Sequence, residues 1–401
     1  MAANPAPAGP SLRHGPRKRR RDCFLPFVGA VWLLGLACYA FVWLVDPYAL
    51  RSPHPRFRLA DHVYPEQVVP RLFAVAGGDG TDVVIVGASS ARGYTPSMIS
   101  SAFPEARHPA NLAYGCSTAD DLRHVLPLLE ASKSLKRVIF SLDFTLIWTC
   151  LAHTTPLDMR YYTLPWNEPV PEFGAESMEV SARGLLTGVL DRPEWRPSTP
   201  DRVWNITDLP PLTQSPDAYA TATESLGDMQ RAIAGAGDVS CDSVPVIKDL
   251  VVPFVRRMSQ RGVAVDLLSP PTSVVYYANS HTSHSYADAF AYLMALRRCA
   301  LEMTAGLPNV RLHFFDADPA ITGRLSNYED IAHICLPSVF EAILRHIALG
   351  DHALTPSQWP AAEAQLRNEI VTFKPDPQAD GVPTVGAVHH EGSQVQQKPT
   401  A

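Results

Sequence analysis

The sequence predicts an α/β domain on a mostly parallel sheet, layered α/β/α, carried behind a single N-terminal transmembrane helix. Three observations lead there. Short, nearly all-apolar stretches such as VVIV at 83–86, RVIFSL at 137–142 and VRLHFF at 310–315 alternate with longer helical runs. That is the pattern of parallel strands buried on both faces. One run, residues 24–45, contains no charged side chain. A composition of 46% hydrophobic residues with a net charge of −6 suits a chain long enough to bury a full core.

The elements follow in order. Residues 1–23 form a basic cytoplasmic tail, in which RHGPRKRRRD at 13–22 holds six Arg or Lys against one Asp. The apolar run 24–45, at about 1.5 Å per residue, reaches roughly 33 Å, enough to cross a hydrocarbon core of about 30 Å. Trp32, Trp43 and Tyr48 suit the interface, Asp46-Pro47 ends the helix, and the basic cluster stays inside by the positive-inside rule. A cleaved signal peptide has a shorter apolar core and a small-x-small site. Gly35-Leu36-Ala37 before Cys38 is a poor lipobox. The run therefore reads as an uncleaved anchor, and no later segment is long and apolar enough to span again. With the basic residues concentrated in this tail, nothing points to a nucleic-acid partner. The RKRRR run as a nuclear-localisation or lipid-binding patch is a less economical reading beside a span.

Residues 46–80 read as a juxtamembrane linker with a short helix near Glu66–Val75. The α/β domain then occupies 81–350. Its strands are 82–86, 109–112, 137–142, 262–268 and 310–315. Its helices are 96–103, 118–132 with Asp120 and Asp121 in the first turn, 244–261, 286–306 and 337–349. An irregular insertion at about 150–240 interrupts the alternation. Trp166, Trp195 and Trp204 lie among its prolines and Trp148 just before it; they suit either stacking on sugar rings or plugging the insertion. Residues 351–401 form a C-terminal extension, expected to be disordered from about 375.

Seven cysteines stand at 23, 38, 116, 150, 241, 299 and 335. Five lie beyond the span, where disulfides persist. One bridge is compatible with that count, and the sequence alone does not pair it. No C-x-x-C or Cys/His spacing appears, so neither metal nor cofactor is expected. His281-Thr-Ser-His284 reads as surface histidines, and Asn205-Ile206-Thr207 as a chance sequon.

In a parallel sheet, function collects at the carboxyl ends of the strands. Four such ends carry chemistry. Gly87-Ala88-Ser89-Ser90 follows the first strand, where glycine permits a tight turn that lifts a serine to the sheet edge; Ser90 is the backup should the turn be offset by one. NLAYGCS at 111–117 follows the second, and Gly115 there brings a backbone N–H close to a reacting oxygen. SLDF at 141–144 puts Asp143 at the end of the third. NYEDIAH at 327–333 closes the set, with Asp330 and His333 spaced to point the same way on a helical turn or tight loop. Singly, each has a structural explanation: a capping serine, a turn, a strand end, a surface ion pair.

In that order, the four blocks resemble the SGNH/GDSL hydrolase superfamily. With the N-terminal span, Asp46-Pro47-Tyr48, VIVGASSARGY, the N-L-x-x-G block, VIFSLDF and Asn327-Tyr328-x-Asp330-x-x-His333, the chain is most similar to membrane-anchored SGNH-like proteins of bacterial envelopes, including those found with exopolysaccharide acetylation. The resemblance covers about 46–50, 82–143 and 262–345. It implies Ser89 as nucleophile, His333 as general base and acid, and Asp330 as its orienter. The Ser89 and Gly115 N–H groups would be oxyanion donors. Ala88 replaces the usual aspartate. Asp143 stands where the family has an asparagine donor; an ionised carboxylate cannot donate, so Asp143 either donates because burial keeps it protonated or binds something else.

The implied function is an acyl esterase or O-acetyltransferase acting on envelope or secreted polysaccharide. Its domain would be periplasmic and its anchor in the inner membrane, with a membrane partner as one source of the acyl group. Two other readings stay open: a catalytically silent SGNH-like binding or assembly subunit, and an unrelated membrane-anchored α/β domain.

Overall fold

The computed structural model describes residues 18–45, 80–113, 117–147, 178, 181–182, 210–278, 285–378 and 380–383. Outside these lie the linker 46–79, Gly115, Cys116 and Cys150, Trp148, Trp166, Trp195 and Trp204, the Asn205 sequon, His281 and His284, and the tail from 384.

Two units are distinguished, 1–59 with 167–197 and 60–166 with 198–401. In the first, helix α1 (Lys18–Val45) contains a stretch, Phe24–Leu44, long and apolar enough to cross a membrane, with a mean hydropathy of 2.1. Phe24, Leu25, Trp32 and Leu33 on it are exposed, as a lipid-facing helix requires.

In the second unit, four residues organise the sheet. Strand β1 (Val83–Val86) is buried at every position and pairs in parallel with β2 (Pro109–Asn111) on one side and β3 (Arg137–Ser141) on the other. Strands β4 (Ala264–Ser269) and β5 (Val310–Phe314) continue the parallel set. The order is β2-β1-β3-β4-β5-β6, and only β6 (Ala353–Leu354) runs antiparallel. Successive side chains of β1 feed different hydrophobic clusters, Val84 and Val86 one, Val83 and Ile85 the other. Both faces of this strand are apolar because both are covered, which is why it reads as a continuous apolar run.

Helices α2 (Pro96–Ala102) and α3 (Ala119–Ala131) begin where the sequence supplies caps. Thr95 Oγ1 accepts from the Met98 N–H, while Thr118 and Asp121 form a reciprocal capping box, satisfying N–H groups that a helix start leaves open. Beyond residue 210 come α4 (Pro216–Thr223) and α5 (Leu226–Ala234). They bury Tyr219, Met229 and Ile233 in the larger core cluster, so this part of the expected irregular insertion is regular. The helix expected over 244–261 is broken differently. A 3₁₀ turn (Cys241–Ser243) and a π turn (Ile247–Val251) precede α6 (Val252–Gln260). Pro253, lacking an N–H, prevents one regular ladder bond at that junction.

Helices α7 (Tyr286–Thr304) and α8 (Pro337–Leu349) follow. Two elements lie past the expected boundary at 350: β6, and α9 (Trp359–Thr372), which buries Trp359, Leu366 and Ile370. Trp359 meets Phe314 of β5 edge-on at 5.1 Å between ring centres.

Candidate active site

The turn after β1 is shaped by what cannot fit there. A Cβ on Gly87 would lie 2.5 Å from Ser141 Cβ and 2.9 Å from Asp143 Oδ2, so only glycine lets β1 turn against the end of β3. A 3₁₀ turn, Ser89–Ala91, follows. It is closed by Ala91 N–H to Ala88 O at 3.1 Å and Arg92 N–H to Ser89 O at 3.2 Å.

Asn111, fully buried at the end of β2, braces the exit of this turn. Its amide donates to the carbonyls of Ala91 and Tyr94, each at 2.9 Å, and its oxygen accepts from Ala113 N–H at 2.8 Å. Gly93 packs so closely on α8 that a Cβ would fall 2.2 Å from Phe340 Cζ. The turn is thus held from β2, β3 and α8.

Asp330 and His333 sit on a tight loop rather than a helix. Tyr328 bridges Ile334 in antiparallel fashion, and Glu329 N–H donates to His333 O at 2.9 Å. Asp330 Oδ1 accepts from the N–H groups of Ala332 and His333 at 2.7 and 2.8 Å. Its other oxygen lies 2.7 Å from His333 Nδ1. His333 Nε2 lies 2.8 Å from Ser89 Oγ, across 244 residues of sequence. A carboxylate accepts only, which assigns the proton to Nδ1 and leaves Nε2 to accept from the serine hydroxyl.

Burial lowers the His333 pKa, but the hydrogen bond and charge of Asp330, with Glu329 adding, outweigh it and raise the imidazole above its ordinary value. For Asp330, burial works upward and is overcome by the same hydrogen bond, the His333 charge and two backbone N–H groups, so its carboxyl is lowered. Burial raises Glu329 next door. Glu329, Asp330 and His333 bring ligand-type atoms within 4.8 Å of one another. Both His333 nitrogens are already engaged, one by Asp330 and one by Ser89, so a cation there would have to displace one of these partners.

Of the residues singled out from sequence, Ser89, His333 and Asp330 come together, and Gly115 lies outside the described residues. Ser90 does not reach the histidine: its hydroxyl donates to Asp143 Oδ1. Asp143 does not act as a donor. It is buried, and its second oxygen accepts the Ala88 N–H at 2.9 Å, so both oxygens serve the serine turn.

A small cavity of about 10 Å³, room for about one water, lies at these groups, walled by Phe144, Tyr276 and Leu293. Arg297 of α7 also lines it, 1% exposed, with Nη1 2.8 Å from Asp316 Oδ1. Ser269 Oγ donates to the other Asp316 oxygen. Burial raises the Asp316 carboxyl against the opposing pull of Arg297. Neither Arg297 nor Asn111 stands among the functional residues the sequence singles out. The signal for Arg297 was a charge on the apolar side of a helix, and Asn111 opened the N-L-x-x-G block. A larger open groove of about 560 Å³, lined by Trp359 and Arg367 among others, contains none of these catalytic-type groups.

No protein-family model matches the chain, and no curated protein sequence matches it either.

Proposed function

We propose that this chain is a membrane-anchored serine acyl esterase or O-acetyltransferase of SGNH type, with the α/β/α layering of that superfamily. Its substrate is acylated envelope or secreted polysaccharide. The observation that carries this reading is the continuous relay Ser89 Oγ–His333 Nε2 at 2.8 Å and His333 Nδ1–Asp330 Oδ2 at 2.7 Å, at the carboxyl end of a parallel strand.

In this mechanism Ser89 Oγ attacks the acyl carbonyl carbon while His333 Nε2 takes its proton, and Asp330 stabilises the imidazolium. The tetrahedral intermediate collapses, the leaving alcohol takes the proton from His333, and Ser89 carries the acyl group. Water or a sugar hydroxyl, deprotonated by His333, then releases it. The Ser89 and Gly115 N–H groups are the oxyanion donors in this reading. The apolar run Phe24–Leu44 anchors the chain in the inner membrane, with residues 1–23 cytoplasmic and the domain periplasmic, where a membrane partner supplies acyl groups to a transferase.

The test is hydrolysis of a chromogenic acetyl ester by the full-length chain in detergent. Wild type is expected to exceed Ser89→Ala by at least about 10³-fold, the scale on which losing a triad member acts. Equal rates would end the enzyme reading. A second reading, an inactive polysaccharide-binding or assembly subunit, is favoured by one observation: Asp143 offers acceptor oxygens where the resemblance calls for a donor. It predicts polysaccharide binding that Ser89→Ala leaves intact, with no ester cleavage by either protein.

A further inference from the structure

Two adjacent hydroxyls, Ser89 and Ser90, occupy one turn, and only one of them faces His333. What separates them is Asp143. We propose that Asp143 is a positioning residue whose carboxylate clamps the residues on either side of Ser89, presenting Ser89 to His333 and withholding Ser90 from it. This rests on Ser89 being the nucleophile.

The clamp has two arms. Asp143 Oδ2 accepts the Ala88 N–H at 2.9 Å, and Oδ1 accepts the Ser90 hydroxyl. Its base is fixed as well. Leu142 N–H donates to Leu268 O at 2.8 Å, tying the end of β3 to β4, and Leu146 N–H donates to Asp143 O at 3.2 Å in the turn that follows. Gly87 makes the approach feasible, since a Cβ there would lie 2.9 Å from Oδ2. Asp143 is 3% exposed, and its arm to the Ala88 N–H is buried while the Ser90 arm is partly so, which limits competition from water. With Ala88 and Ser90 both pinned, the backbone of Ser89 has little freedom to rotate, and its Oγ stays where Nε2 lies. Misplacement of a reacting atom by about 1 Å can cost about 10²-fold in rate.

Geometry and charge make different demands of this side chain. An amide at 143 keeps one oxygen for the Ala88 N–H, and its NH₂ donates to Ser90 Oγ, which accepts as readily as it donates. Asparagine therefore preserves both arms without the charge, and alanine preserves neither. Ser90→Ala removes one arm and leaves the carboxylate.

The experiment uses the full-length chain in detergent and a fluorophosphonate probe. Serine Oγ bonds to its phosphorus, fluoride departs, and His333 takes the serine proton. The labelled peptide is read by mass spectrometry, and kcat and KM for acetyl-ester hydrolysis are measured in parallel. Wild type is expected to label on Ser89 alone. Asp143→Ala should label about 10²-fold more slowly, lose kcat in proportion with KM nearly unchanged, and spread the label onto Ser90. Asp143→Asn should recover to within about tenfold of wild type, the scale of one altered hydrogen bond. Should Asp143→Ala not fold, Ser90→Ala carries the test with an expected slowing of about tenfold. A wild-type labelling rate in Asp143→Ala, or in Ser90→Ala when that variant carries the test, overturns the proposal while Ser89 keeps its role. So does an Asp143→Asn as slow as Asp143→Ala, which would make the charge the requirement. Absence of label on Ser89 in wild type removes the nucleophile reading and this inference with it.

Discussion

At the scale of single residues, His333 governs the pH at which the proposed chemistry runs. It must be neutral to accept the Ser89 proton. Burial alone would lower its pKa, yet Asp330 and Glu329 raise it above the ordinary value of 6.5. The acid limb of kcat/KM is therefore expected above pH 6.5, with activity rising as pH rises through it. Asp330→Asn removes the largest upward influence, so the limb should move toward lower pH as burial acts with less opposition. The plateau should fall as well, by roughly 10⁴-fold, the cost of such a change in Ser-His-Asp triads. An amide N–H facing Nδ1 favours the wrong tautomer and takes away the lone pair Nε2 needs. A pH–rate profile of the two proteins on one acetyl ester measures both effects, and a limb that stays in place in the variant would mean that Asp330 does not set the imidazole's proton affinity.

Between elements, the sheet is tied across its strands by a buried acid. Asp266 on β4, 1% exposed, accepts from His313 Nε2 at 2.9 Å and Arg311 Nη2 at 2.9 Å on β5, and from Arg137 on β3. Burial pushes its carboxyl up, but the His313 hydrogen bond and the Arg137 and Arg311 charges prevail and hold it below the ordinary value of 3.8. A lowered carboxyl contributes stability that is fully present above the unfolded-state value and lost as pH falls through the folded one. Asp266→Asn removes the buried carboxylate these cations share; Arg137 keeps Glu105 at 3.5 Å and Arg311 is 37% exposed to water, so the expected loss is about 3 kcal/mol at neutral pH, the low end for breaking a buried pair. Urea unfolding of both proteins along a descending pH series should show the gap narrow as wild type protonates Asp266. A gap independent of pH would point to packing instead. The strands that carry this network were legible from sequence because strands covered on both faces are apolar without a period. Other elements were not. Strand β6 has two residues, too few for any pattern. Pro216, in the stretch expected to be irregular, and Pro360, past the expected domain boundary, each stand in the first turn of a helix, where the missing N–H costs nothing.

At the scale of the whole molecule, the candidate site was legible because a parallel sheet gathers the carboxyl ends of its strands along one edge. The order of four weak motifs therefore carried spatial information that none of them held alone. Contacts made across elements without a recurring spacing, such as Arg297 with Asp316 or Asn111 with the serine turn, leave no such trace. The cysteines are of that second kind: five follow the span, and only the fold pairs Cys241 with Cys299, 58 residues apart, joining the 3₁₀ turn before α6 to α7. Such a link constrains the unfolded chain and is worth about 2–4 kcal/mol. Such a bond persists in an oxidising compartment, which the proposed placement of the domain outside the cytoplasm requires. Alkylating intact cells before lysis should therefore leave the Cys241 and Cys299 peptides unmodified until reductant is added. Reductant should lower the urea midpoint of the purified full-length chain, and the Cys241→Ser/Cys299→Ser variant should start at that lower midpoint and not respond further. If both thiols are found alkylated without reduction, the bond does not form in the cell. The proposed outward placement of the domain then rests on the basic tail alone.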